Sequence, residues 1–181
     1  MRRSRERGEE WFTALYVTHY SHVVKYALRR LADLDASIDL AQEVFVVAWR
    51  RRVQVPDHGL PWLYGVARRL LANHWRARRS APTVVLLTVD GGEYAHAEPP
   101  ADQGVSDRLA AVRAALGELS YMDQEILRLV GWEELTVSEA ATVLGCRRAT
   151  AAVRLHRARR RLSEALRSVS VDGSTTASAR L

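Results

Sequence analysis

Apolar residues recur along most of the chain at steps of three and four, the spacing that lines one face of an α-helix. Over 11–31 the stripe is Phe12, Leu15, Tyr16, His19, Val23, Tyr26, Ala27 and Leu31. Ala32-Asp33-Leu34-Asp35 reads as a turn, with Asp35 as N-cap of a second helix over 36–52. That helix buries Leu40 or Ala41, Val44, Phe45 and Ala48 and turns Asp39, Gln42, Glu43 and Val46 to its opposite face. Pro56 and Gly59 break the pattern, and Pro61 takes the first turn of a third helix that runs to 79. Its apolar face is Leu63, Val66, Ala67, Leu70, Leu71 and Trp75; Arg68, Arg69, Asn73, Arg76, Arg78 and Arg79 ride outside.

Periodicity stops between 80 and 106, where prolines, glycines and acidic residues predict a flexible linker. Its one apolar run, Val84–Val89, is suited to docking on a neighbour. Helical spacing then resumes. Leu109, Val112, Ala115 and Leu116 mark a first helix; Ser120 caps a second over Tyr121–Val130. Thr136 or Ser138 opens a third, Val137–Leu144, which Gly145 ends. A fourth runs from Arg148 to Leu166 with Ala151, Leu155, Ala158, Leu162 and Ala165 inward, and 168–181 is expected to be a disordered Ser/Thr/Ala-rich tail. The expected fold is all-α: two small helical domains, 9–80 and 107–167, joined by the linker 81–106.

Charge divides along the same boundaries. Residues 1–80 carry 15 basic and 8 acidic groups, 81–106 carry no basic and 4 acidic, and 107–181 carry 12 and 9. Two basic blocks flanking an acidic one favour a polyanionic partner for each block. No run approaches the roughly 20 apolar residues of a membrane span, and no apolar stretch follows the basic N-terminus as a secretory signal would need. Cys146 is the only cysteine, which rules out an intramolecular disulfide and fits a reducing cytoplasm. No phosphate-binding loop, metalloprotease or nucleophile-elbow motif occurs, and the carboxylates Asp33, Asp35 and Asp39 are explained as caps. His19-x-x-His22 has helical spacing for a metal pair but lacks a third ligand. Neither catalysis, nor a cofactor, nor a metal is expected.

Two helices joined at Gly145-Cys146, the second strongly basic, form a helix-turn-helix pattern. The N-terminal part of such a second helix reaches base edges in the major groove. Here it offers Arg147, Arg148, Ala149, Thr150, Ala152 and Val153, with Arg154, Arg157, Arg159, Arg160 and Arg161 available for phosphates.

The run Leu135-Thr-Val-Ser-Glu-Ala-Ala-Thr-Val-Leu-Gly-Cys146, followed by Thr150 and Arg154-Leu-His-Arg-Ala-Arg159, resembles region 4 of extracytoplasmic-function (ECF) sigma factors. Upstream, Asp39-Leu-Ala-Gln-Glu-Val-Phe-Val-Val-Ala-Trp-Arg50 is similar to the family's region 2 helix, and Pro61-Trp-Leu-Tyr-Gly-Val-Ala-Arg-Arg-Leu-Leu-Ala-Asn73 to the helix after it. The three motifs stand in the family's order over about 11–167.

This resemblance implies an alternative sigma factor that binds core RNA polymerase and directs promoter-specific initiation. Region 2 would dock on the clamp helices of the largest subunit through Asp39, Gln42 and Glu43. It would also open the −10 element, with the loop Val53–His58 receiving a flipped base. Gln54, His58, Arg68, Arg69, Asn73 and Arg76 are the −10 candidates. Region 4 would engage the polymerase flap and read the −35 element through Arg147, Arg148, Thr150, Val153, Arg154 and Arg157. The family also admits an anti-sigma factor as a partner. One departure matters: where relatives carry Pro-x-Gly-Thr-Val-Lys-Ser, this chain has Arg147-Arg148-Ala149-Thr150-Ala151-Ala152-Val153. Readout therefore shifts toward Arg147 and Arg148, with Val153 or Ala152 free to meet a thymine methyl. The rival reading is a stand-alone helix-turn-helix regulator with an unrelated N-terminal domain.

Overall fold

The structure is a computed structural model. It describes residues 7–80 and 103–178, with side chains in 7–76 and 110–167. Every regular element among these residues is helical: α1 (Glu9–Leu31), α2 (Leu34–Arg50), a 3-10 turn (Arg52–Gln54), α3 (Leu60–Ser80), α4 (Gln103–Gly117), α5 (Tyr121–Gly131), α6 (Val137–Leu144) and α7 (Arg148–Ser178). The chain divides into two compact units, one built on α1–α3 and the other on α4, α5, α7 and the first part of α6.

In the first unit all three helices pack on one another. The core holds Val23, Tyr26 and Ala27 of α1, the α2 residues Leu40, Ala41, Val44, Phe45 and Ala48, and Leu63, Tyr64, Ala67 and Leu71 of α3. The Tyr26 and Tyr64 rings stack at 4.7 Å, and Arg30 lies 3.4 Å over Tyr26 while bonding its carbonyl. The turn between α1 and α2 is tighter than its sequence suggests. Asp33, not Asp35, is the N-cap: its carboxylate accepts from the Ala36 N–H at 3.0 Å, so the helix starts two residues early. Ala32 closes α1 in the left-handed region at φ 54°.

In the second unit α7 packs on both α4 and α5. Ala115, Leu116, Ile126, Leu129, Ala151, Leu155 and Ala158 are buried. Thr136, not Ser138, caps α6 through a reciprocal pair: Glu139 N–H donates to Thr136 Oγ1, and the Glu139 carboxylate accepts from Thr136 N–H at 2.8 Å. At the other end Gly145 takes φ 65°, with Gly145 N–H bonded to Thr142 O and Cys146 N–H to Ala141 O. That is the doubly bonded C-terminal cap for which glycine is preferred.

Two expected boundaries move. α4 begins at Gln103 rather than 107. α7 continues to Ser178, past the expected helix end at Leu166 and through most of the 168–181 stretch expected to be a disordered tail, because extending a formed helix needs no new nucleus. The linker reading, including Val84–Val89, lies outside the described residues over 81–102.

Candidate nucleic-acid and partner interfaces

Asp39, Gln42 and Glu43 are exposed on α2, as the spacing predicted. Beside them runs a groove of about 520 Å³ between α1 and α2, lined by Glu9, Phe12, Thr13, Tyr16, Gln42, Phe45, Val46 and Trp49. Gln42 lines it; Asp39 and Glu43 do not. Its wall is a row of aromatic rings: Tyr16 to Phe45 at 4.8 Å, Phe12 to Trp49 at 5.3 Å, and Tyr16 stacked on Tyr20 at 4.8 Å. Burial, then the neighbouring Tyr20, pushes the Tyr16 hydroxyl above its ordinary value, so it stays neutral. Val46 is 48% exposed at the rim. An apolar trough edged by polar side chains suits protein docking. The sequence reading missed it because it assigned Phe12 and Tyr16 wholly to the core; their place in the outer turns of α1, opposite Trp49, was the available signal.

The segment from Arg51 to Gly59 joins α2 to α3. Val55 is buried, whereas Val53, Gln54, Asp57 and His58 are exposed. At Gly59 a Cβ would sit 3.0 Å from Leu15 Cδ1 and 3.4 Å from Val55 Cγ1, so an added side chain would require those two apolar side chains to give by a few tenths of an ångström. On α3, Arg69, Asn73 and Arg76 are exposed, and Arg76 donates to Asn73 Oδ1 at 2.6 Å and to Ala72 O at 3.2 Å. Arg68 departs from the expected outer face. It is half-buried with its Nε fully enclosed, because its position turns toward the flank of the apolar stripe. His19, expected in the apolar stripe, is half-buried with its Nδ1 enclosed, and its ring meets His22 edge to face at 6.4 Å. Burial, then the charges of His22 and His58, lowers its pKa.

The sequence reading also missed Arg7. This side chain precedes α1, falls outside every periodic pattern, and reaches the same loop. It donates to Arg52 O at 2.7 Å and to Val55 O, and pairs with Asp57 at 3.0 Å.

Arg147, immediately before α7, and Arg148, Thr150, Val153 and Arg157 on it are exposed, and Arg154 is half-buried. A groove of about 580 Å³ brings Thr150, Val153, Arg154, Arg157 and Arg161 of α7 together with Ser120, Met122 and Asp123 at the start of α5. Arg147 and Arg148 stand outside it, one turn earlier. Two arginines expected to meet phosphate also pair with carboxylates, Arg161 within this same groove. Arg161 forms an ion pair with the buried carboxylate of Asp123, where α5 meets α7, and Arg160 pairs with Glu164 at 3.5 Å. Asp123 makes only half of a capping box with Ser120: its N–H donates to Ser120 Oγ, while its carboxylate turns to α7.

A three-helix unit bearing an exposed apolar trough, followed by a basic helix-turn-helix unit, fits a sigma-70-type initiation factor. The family model for sigma-70 region 2 matches residues 15–81 and that for sigma-70 region 4 matches 109–162. The ECF RNA polymerase sigma factor SigL of Mycobacterium tuberculosis is 30% identical over 161 residues, 87% of this chain and 90% of that one. The chain belongs to the ECF sigma factors. A region 2 domain at the N-terminus removes the rival of a stand-alone regulator with an unrelated domain there. In fold, the chain is similar to the sigma factor RpoE of Bartonella quintana in its complex with the anti-sigma factor NepR. That likeness has a TM-score of 0.61 at 21% identity, over 87% of this chain and 98% of that one. It is also similar to CnrH in complex with the cytosolic domain of CnrY, with a TM-score of 0.59 at 22% identity, over 91% and 93%. The protein is an alternative sigma factor: it binds core RNA polymerase and directs initiation at particular promoters.

Proposed function

We propose that the groove between α1 and α2, with Asp39, Gln42 and Glu43 beside it, is the surface that docks on the clamp helices of the polymerase largest subunit. The observation that carries this reading is the aromatic trough itself, since an exposed apolar trough needs a partner surface to cover it. The loop 51–59, through Gln54 and His58, and the exposed face of α3, through Arg69, Asn73 and Arg76, handle the −10 element. Arg68 contributes from the flank. Strand opening needs cations for phosphate and a surface for an unstacked base, and this segment offers both.

On α7, Thr150, Val153, Arg154 and Arg157 line one groove and act as a unit on the −35 element. Arg147 and Arg148 add contacts one turn earlier, and region 4 meets the polymerase flap. The factor performs no chemistry of its own; it works in the cytoplasm by recruitment. An anti-sigma factor is a fitting regulator, since relatives of this fold are held by such partners.

Docking is tested directly. Asp39→Arg combined with Gln42→Arg lies on one exposed face. It should abolish co-purification with core polymerase while helicity and thermal midpoint stay unchanged. Retained co-purification refutes the assignment.

A further inference from the structure

We propose that Arg7 is a positioning residue for −10 recognition, holding the loop between α2 and α3 in the shape that presents Gln54 and His58 to the DNA. The proposal rests on the reading of that loop as the −10 contact. The guanidinium is 11% exposed and lies 5.0 Å over the Trp11 ring, fixed to the first turn of α1. From there one nitrogen donates to Arg52 O at 2.7 Å and also to Val55 O, while the other meets Asp57 at 3.0 Å. Three attachments within six residues hold the loop, two of them on the backbone carbonyls at either end of its 3-10 turn.

Only arginine presents several donors in a rigid planar fork. The Asp57 end is 94% exposed and contributes little, so the carbonyl bonds carry the effect. Val55, whose carbonyl takes one of these bonds, is buried, while Val53, Gln54, Pro56, Asp57 and His58 are exposed. A loop clamped from beneath is ready to bind before DNA arrives. An unclamped one binds with an affinity reduced by the fraction that holds the right shape.

The test uses holoenzyme reconstituted from the full chain and core polymerase, on a promoter selected from a library. Stability of open complexes is measured across single-base −10 variants and −35 variants. Arg7→Ala should flatten −10 discrimination by about tenfold at one or two positions, while core affinity and −35 discrimination stay within about twofold. Arg7→Lys keeps the charge but not the fork and should flatten the same positions. It decides the matter if the alanine variant fails to fold. A simple structural staple would lower thermal stability and leave the −10 profile untouched. Wild-type discrimination in the folded variant, with Gln54→Ala and His58→Ala altering it, overturns the proposal. If Gln54→Ala and His58→Ala also leave −10 discrimination unchanged, the loop reading itself fails.

Discussion

Removing Arg161 should weaken the fold more than the DNA contact, although it lines the same α7 groove as the phosphate candidates. Its guanidinium pairs with Asp123, whose side chain is 7% exposed against 53% for the arginine. Breaking a fully buried pair costs about 3–5 kcal/mol because a charge is left uncompensated, whereas an exposed pair is worth about 0–1 kcal/mol. This pair joins a buried carboxylate to a half-exposed cation, so Arg161→Ala should cost on the order of 2 kcal/mol, between those limits. For a domain of this size that lowers the midpoint by roughly 8–16 °C. Arg157→Ala supplies the contrast. Its side chain is exposed beside the α7 groove, so stability should move by less than about 0.5 kcal/mol. Its loss should reduce the slope of log affinity against log salt by about one contact. Thermal unfolding of the free protein followed by circular dichroism gives the first quantity, and promoter binding by holoenzyme across a salt series gives the second. An Arg161→Ala variant with an unshifted midpoint and a reduced salt slope would refute the assignment of this arginine to the α5–α7 contact.

Arg148→Ala should relax preference at one −35 base pair at a cost of about 1–3 kcal/mol, read from a matrix of promoter variants; uniform loss at every variant would mean that Arg148 grips only the backbone. Gly145→Ala meets no atom within 4 Å but must hold φ 65°, so it should cost about 1 kcal/mol through backbone strain alone, measured by denaturant unfolding. His19, with its pKa lowered in the fold, binds fewer protons there than in the unfolded chain. Its contribution is present above the unfolded value near 6.5 and is lost as pH falls through the folded value. The midpoint should therefore drop on acidification below about pH 6.5, and His19→Gln should flatten that dependence in a calorimetric pH series.

Helices and most of their caps were legible from local rules, the N-cap of α2 excepted. The 3.6-residue period places Val23, Ala27, Val44, Ala48, Ala151 and Leu155 inward without reference to the rest of the fold, and Thr136 with Glu139 or Gly145 acts within one turn. The exposed row Asp39, Gln42 and Glu43 follows from the same geometry, because a helix surface is determined by its own spacing. What periodicity cannot carry is the use of a side chain by a distant part of the chain. Arg7 sits 45 and 48 residues from the carbonyls it holds, and Arg161 lies 38 residues from Asp123. In sequence both look like solvated cations. The aromatic trough belongs to the same class: Phe12 and Tyr16 read as core until α2 brings Phe45 and Trp49 beside them and leaves one side of the row uncovered. A local period reports which face of a helix is apolar; only the packing of one helix on another determines how much of that face stays open to a partner.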